Sequence, residues 1–115
     1  MKFSGIVLHD SGCPNVRSKA GYDFFVGRDG LVTPSNDFTD DDHLHVCVEG
    51  DFDDPIPAEE YLLVREQMFT LVKLVLRLAS LFEFDPQSMS AHGDTCPGEE
   101  FPWHDLKVRI GRPPH

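Results

Sequence analysis

The longest regular pattern of apolar residues lies between Pro57 and Phe82. Apolar side chains recur there every three or four residues, as on one face of an α-helix: Tyr61, Val64, Met68, Leu71, Val75, Leu78 and Phe82. A second set widens this stripe and comprises Leu62, Phe69, Val72 and Leu76. Pro57 suits a first helical turn, where a missing N–H loses no hydrogen bond. The pattern predicts one long helix that lies across a sheet with little of its surface exposed.

Shorter apolar runs predict the strands of that sheet. Residues 6–8 and 22–26 form two such runs, and the Arg28-Asp29-Gly30 turn leads into a return strand that starts at Leu31. Residues 45–49 alternate, residues 87–91 form a last short strand, and residues 102–109 a short closing helix. The predicted class is α/β: a single mixed β-sheet of about four to five strands, covered by the long helix, with a short C-terminal helix. A chain of 115 residues is expected to form a single domain, residues 1–115.

Charge and cysteine content limit the partners. The formal net charge of -10 argues against nucleic acid and against an anionic membrane surface, because both attract Lys and Arg. The three cysteines do not suggest a disulfide framework; a reducing compartment or a metal-bound thiolate fits an odd count better. No N-terminal signal peptide is visible, so a cytoplasmic location is expected for the chain as synthesised. Charged residues interrupt the apolar stretch 62–82, which therefore predicts a buried helix and not a membrane span.

Three residues at separate places have the chemistry of a metal site. His9 ends the first strand, and His92 and Cys96 lie together on a late loop. Two imidazoles and a thiolate are good Zn²⁺ ligands, and three protein ligands leave a fourth position open. The spacing His92-x-x-x-Cys96 lets both side chains reach one ion. The alternative is that Cys96 is a buried free thiol that packs as a small hydrophobic residue.

Four segments, taken in order, give the chain a resemblance to a known family. They are Gly5-Ile6-Val7-Leu8-His9, residues 21–30 (Gly-Tyr-Asp-Phe-Phe-Val-Gly-Arg-Asp-Gly), residues 45–53 (His-Val-Cys-Val-Glu-Gly-Asp-Phe-Asp), and Ala91-His92-Gly93-Asp94-Thr95-Cys96-Pro97-Gly98. Together they resemble the type-2 N-acetylmuramoyl-L-alanine amidases, the family that includes the peptidoglycan recognition proteins and the phage lysozymes of amidase type. The resemblance covers about residues 5–108, including a closing helix after Phe101-Pro102-Trp103.

The resemblance implies a function and a role for each matching residue. His9, His92 and Cys96 fall on the three zinc ligands of the family, and Tyr22 on a tyrosine near the metal whose hydroxyl polarises the substrate or positions water. The implied substrate is peptidoglycan or a muropeptide, cut at the amide bond between N-acetylmuramic acid and L-alanine. Two roles are compatible with this activity: a phage-type lysis enzyme that acts on the cell wall after release, and a cytoplasmic recycling enzyme.

The chain departs from the family pattern at three places, one of which is Gly93, where Arg is common. Twelve residues separate His9 from Tyr22, so the helix that the family carries there is missing or reduced to a turn. Asp94 stands where many members have a lysine two positions before the third ligand. These departures favour an alternative function, that of a non-catalytic peptidoglycan- or muropeptide-binding module. A third interpretation is a structural zinc clamp, with His104 or Asp94 as fourth ligand.

The proton donor for the leaving amine has no unique candidate in the sequence. Glu49 is the first choice, because it shares one strand face with Cys47 by alternation; the alternative is that it faces solvent. Asp23 and Asp94 are interpreted as carboxylates that hold a ligand histidine. The other histidines, His43, His45, His104 and His115, are expected at or near the surface. The acidic runs 40–42 and 51–54 lack the spacing of a calcium loop and are interpreted as solvated charges.

Overall fold

The computed structural model describes residues 3–12, 21–35, 39–93 and 95–111. Its strands are β1 (Gly5–Asp10), β2 (Phe24–Val26), β3 (Val32–Pro34), β4 (His43–Val48) and β5 (Met89–Ala91). A 3₁₀ turn at Ala58–Glu60 leads into the long helix α1 (Tyr61–Phe82), and α2 (Trp103–Gly111) is the last helix of the described residues. These elements confirm the predicted α/β class and the order of strands and helices along the chain.

The strands form one mixed sheet in the order β3-β2-β4-β1-β5. β1 pairs in parallel with β4 on one side and with β5 on the other, and β2 is also parallel to β4. β3 alone runs antiparallel, paired with β2 through the predicted turn. Because β1, β2, β4 and β5 run the same way, their carboxyl ends meet at one edge of the sheet, and residues that follow these strands lie near one another.

The two faces of the sheet differ in chemistry. Leu8 is paired with Val46 and His9 with Cys47, so successive side chains point to opposite faces. The face toward α1 is apolar and fully buried at Ile6, Leu8 and Val46. Helix α1 packs on this face with Val64, Met68, Leu71, Val72, Val75 and Leu78. The opposite face of the two central strands carries His9, His45 and Cys47.

The expectation that α1 exposes little of its surface is wrong. Tyr61 is 60% exposed, Leu62 73% and Phe69 44%. A helix can press only one stripe of its surface onto a single sheet, and the second apolar set widened the predicted stripe beyond what this sheet covers. The helix ends after Phe82, where Glu83 takes a left-handed conformation (φ 58°) and its N–H bonds the carbonyl of Ala79.

Some predictions concern residues outside the described ranges. The reduced helix between His9 and Tyr22 falls on residues 13–20, which also include Cys13, and Asp94 and His115 lie outside the description as well. Within the described ranges, no helix has both the length and the apolar character needed to cross a bilayer.

A buried glutamine joins α1 to the sheet. Gln67 is fully buried, and its Nε2 donates to the carbonyls of Val26 (3.1 Å) and Glu49 (2.9 Å). These carbonyls belong to the ends of β2 and β4, so one side-chain amide holds both strand ends against the helix. The Gln67 Oε1 atom has no hydrogen-bond partner among the described residues, so the amide serves as a donor.

We predict that Gln67→Glu destabilises the fold. A carboxylate of the same shape cannot donate to the two carbonyls and is itself buried, so the free energy of unfolding should fall by at least about 2 kcal/mol near neutral pH. Urea denaturation measures the difference. Glu66→Gln, at the exposed neighbouring position, is the matched control and should leave stability unchanged; an equal loss in both variants would contradict the role given to Gln67.

Candidate metal centre

The three predicted ligands come together at one point. One ligand atom each from His9, His92 and Cys96 lies within 4.8 Å of the others. His9 sits near the end of β1, and His92 directly follows β5, with its N–H donating to the Leu8 carbonyl at 3.2 Å. The parallel pairing of β1 with β5 therefore brings the two histidines together, with ring centroids 4.6 Å apart.

A tight loop brings Cys96 to the same point. Gly93 and Cys96 form an isolated antiparallel bridge, in which Gly93 N–H bonds the Cys96 carbonyl at 3.0 Å and Cys96 N–H bonds the Gly93 carbonyl at 3.3 Å. The loop turns back on itself, which places Cys96 beside His92. The Cys96 Sγ lies 3.8 Å from His9 Nδ1. His9 and Cys96 are buried and His92 is exposed, so the trio has one side open to solvent.

The carboxylate of Asp10 fixes the loop that follows Cys96. Asp10 is buried, and its Oδ2 accepts the N–H groups of Gly98 (2.9 Å) and Phe52 (3.2 Å), while Oδ1 accepts that of Gly12 (3.1 Å). Gly98 packs so tightly that any Cβ there would overlap the backbone of Phe52. Asp10 thus connects the end of β1, the segment after β4 and the Cys96 loop.

The second ring nitrogen of His9 is also engaged. His9 Nε2 lies 2.8 Å from His45 Nδ1, and His45 Nε2 lies 2.5 Å from an Asp40 carboxylate oxygen. The buried Asp23 carboxylate anchors the backbone on both sides of Asp40, because it accepts the N–H groups of Thr39 (2.6 Å) and His45 (2.7 Å). A continuous line of contacts therefore runs from Asp40 through His45 to His9.

The electrostatics favour a neutral His9 and a charged Asp40. Burial, together with the charges of His45 and His92, lowers the pKa of His9 from 6.5 to about 4, so its ring is neutral near pH 7. Partial burial raises the pKa of Asp40, but hydrogen bonds from the His43 N–H, the His45 ring and the Asp42 N–H outweigh it and bring the pKa to about 2. Neutral imidazole is the form that binds metal.

The chemistry of the three donors fits a zinc ion. Two imidazole nitrogens and one thiol sulfur, two of the three residues buried, are a donor set that zinc takes readily. Because His92 is exposed, an ion held by these three residues would have one side open to solvent. His104 lies exposed on α2 and is not part of the trio.

Tyr22 and Glu49, the two predicted catalytic residues, lie outside this trio. Tyr22 is half-buried just before β2, and its ring contacts that of Phe25 at 5.7 Å between centroids. Glu49 is exposed one residue beyond β4, and its Oε1 accepts the N–H of Arg28 at 2.9 Å. Asp23 was expected to hold a ligand histidine. Its carboxylate instead accepts the backbone N–H of His45, whose ring contacts the ring of His9.

Sequence reasoning missed three residues that organise the site. His45 was expected at or near the surface and Asp40 to be a solvated charge, and no role was assigned to Asp10. Asp40 is indeed exposed, but it also bonds His45. The alternation places His45 and Cys47 on one face of β4, and the register of β4 with β1 brings that face to His9. No pattern in the sequence indicated Asp40 or Asp10.

Comparisons with known proteins identify the fold. The N-acetylmuramoyl-L-alanine amidase LysC from Clostridium intestinale URNW superposes with a TM-score of 0.71 at 20% identity, over 96% of this chain and 87% of that one. The endolysin amidase LysCS from Clostridium intestinale URNW gives 0.70 at 20% identity, over 96% and 85%. Drosophila PGRP-LB gives 0.61 at 18% identity, over 99% and 82%. No protein-family model and no curated protein matches the sequence. The chain therefore has the fold of the N-acetylmuramoyl-L-alanine amidases and PGRPs.

We predict that Asp10→Asn loosens the Cys96 loop. An amide cannot accept on both sides as the carboxylate does, so at least one buried N–H loses its partner and the free energy of unfolding should fall by about 1–3 kcal/mol. Hydrogen exchange should be faster at Gly98 N–H than in the wild type. Asp53→Asn is the control, because Asp53 is exposed. Slight burial and nearby carboxylates raise the pKa of Asp53. Unchanged exchange at Gly98 would contradict the anchoring role of Asp10.

Proposed function

We propose that this protein is a zinc-dependent amidase that hydrolyses the bond between N-acetylmuramic acid and L-alanine in peptidoglycan or muropeptides. The observation that carries the proposal is the meeting of His9, His92 and Cys96 ligand atoms within 4.8 Å, with one side open. The shared fold supports it, because two similar structures are named as N-acetylmuramoyl-L-alanine amidases.

His9, His92 and Cys96 would hold the ion. A zinc ion bound there supplies a Lewis acid for the scissile carbonyl and activates water near neutral pH. The neutral state of His9 suits this role, because a neutral imidazole has a lone pair on one ring nitrogen with which it can bind the ion. The burial of Cys96 keeps the thiol out of reach of solvent oxidants and leaves it available as a ligand and not as a nucleophile.

Tyr22 and Glu49 are our candidates for the remaining chemistry. The Tyr22 hydroxyl would donate a hydrogen bond to the oxyanion that develops on the carbonyl. Glu49 would pass a proton to the departing amine of L-alanine. Its carboxylate has one oxygen bound to the Arg28 N–H, which fixes the side chain at the edge of the sheet where β4 ends.

We predict that the zinc-loaded protein releases free peptide from a defined N-acetylmuramoyl-peptide, and that a chelator stops the release. Mass spectrometry of the products identifies the bond that is cut. Replacing His9, His92 or Cys96 by alanine should each abolish both stoichiometric zinc binding and peptide release, because each residue supplies one of three ligands. His43→Ala, on the same strand as His45, is the control and should behave as the wild type.

Other outcomes distinguish the alternatives. One bound zinc per chain with no peptide release, but with measurable binding of the muropeptide, would mean that the chain is a binding module. Zinc that only raises the melting temperature, with neither binding nor release of muropeptide, would mean a structural clamp. Retention of stoichiometric zinc by any single ligand variant would remove that residue from the site.

We predict that Tyr22→Phe and Glu49→Gln lower kcat while zinc content stays at one per chain. Loss of an oxyanion donor should reduce kcat by about 10²-fold. Steady-state kinetics on the same muropeptide measure the change. Tyr61→Phe is the matched control for Tyr22, since Tyr61 is exposed on α1. Unchanged turnover in the Tyr22 variant would mean that its ring serves packing against Phe25.

A further inference from the structure

The contacts around His9 point to residues that prepare it for metal binding. We propose that Asp40 and His45 act as an outer pair of positioning residues that fix the tautomer and orientation of the His9 ring. In this arrangement His9 Nε2 is held by His45, and His9 Nδ1 is the metal-binding atom. The inference rests on the proposed zinc site and assigns functions to two residues that the zinc site itself does not include.

The Asp40 carboxylate sets the order of donors and acceptors in the contacts from Asp40 through His45 to His9. An ionised carboxylate only accepts hydrogen bonds, so Asp40 requires the proton of His45 to be on Nε2, 2.5 Å away. With the His45 proton on Nε2, its Nδ1 serves as the acceptor for His9 Nε2–H at 2.8 Å. A neutral His9 with its proton on Nε2 has its lone pair on Nδ1. This order of hydrogen bonds, which starts at the Asp40 carboxylate, places the lone pair of His9 on Nδ1.

The geometry directs that lone pair to the right place. His9 Nδ1 lies 3.8 Å from Cys96 Sγ, whereas Nε2 lies on the His45 side of the ring. The His9 ring also lies between the two other imidazoles, with centroids 5.1 Å from that of His45 and 4.6 Å from that of His92. The ring therefore has a partner on each side, and rotation would break its hydrogen bond to His45.

Backbone contacts hold the pair in place. The Asp40 Oδ1 atom accepts the N–H groups of Asp42 (2.8 Å) and His43 (2.7 Å), so this exposed side chain is tied to the start of β4. The His45 N–H is bound by the buried Asp23. His45 itself is shielded, with 13% of its side chain exposed against 44% for Asp40. This preorganisation separates the pair from an ordinary surface contact, whose long side chains move freely.

The test combines zinc affinity with the tautomer of His9. His45→Phe removes the acceptor nitrogen but keeps a ring, and Asp40→Asn removes the charge that sets the proton order. Zinc affinity is measured by competition with a chromophoric chelator, and the His9 tautomer by ¹⁵N NMR of the metal-free protein. His43→Gln and Asp41→Asn are matched controls, because they change a neighbouring histidine on β4 and a neighbouring exposed carboxylate.

We expect metal-free wild type to carry the His9 proton on Nε2, and His45→Phe to show mixed tautomers. Zinc binding should weaken about 10–100-fold in His45→Phe, the range for loss of a residue that orients a ligand histidine. Asp40→Asn should weaken it less, and both controls should bind as the wild type. His45→Gln, whose amide oxygen can still accept from His9, should recover part of the affinity and covers the case that His45→Phe does not fold.

Two results would overturn the inference. One is a His9 proton on Nδ1 in the metal-free wild type; the other is zinc affinity in folded His45→Phe and His45→Gln within about twofold of the wild type. Failure of the proposed function is a separate result, seen as a wild type that binds no zinc. In that case the Nε2 proton in wild type and its loss in His45→Phe would still support the pair.

Discussion

The parallel pairing of β1 with β4 on one side and β5 on the other is the constraint on which the site depends. It places His9 between two strands whose own polar residues reach it from both directions, His45 from β4 and His92 from the residue after β5. Because the face of β1 toward α1 is fully apolar and buried, the strand cannot slip by one residue without moving His9 into the core and Leu8 to the site. Packing of the core therefore fixes the register of His9.

Two buried carboxylates hold the loops around this part of the sheet in place. Asp10 and Asp23 bind backbone N–H groups from segments distant in sequence, Gly98 and Phe52 in one case, Thr39 and His45 in the other. Each carboxylate accepts hydrogen bonds from backbone N–H groups, which compensate for its burial. The two residues thus hold the loops that carry Cys96 and Asp40, and loops so anchored can present ligands with little loss of entropy on binding.

The local pattern of apolar residues predicted the helices and strands. The residue types of His9, His92 and Cys96 predicted the metal site. The period of α1 and the turn at Arg28-Asp29-Gly30 are local signals, so they are visible without the fold. His9, His92 and Cys96 were visible because their residue types suit zinc and their segments resemble a known family. The contact of His45 with His9 and those of Asp10 with Phe52 and Gly98 depend on register and on loop closure across more than thirty residues. The exposure of Tyr61 and Leu62 depends on how much of α1 a single sheet covers. No local pattern encodes such distances.

We propose that His9, His92 and Cys96 form one metal centre with an open coordination position. X-ray absorption at the zinc edge of the loaded protein tests it most directly. We expect one sulfur at about 2.3 Å and light-atom ligands at about 2.0–2.1 Å, two of them imidazoles. A zinc ion without a sulfur neighbour, or with two sulfur neighbours that would include Cys47, would contradict the centre described above.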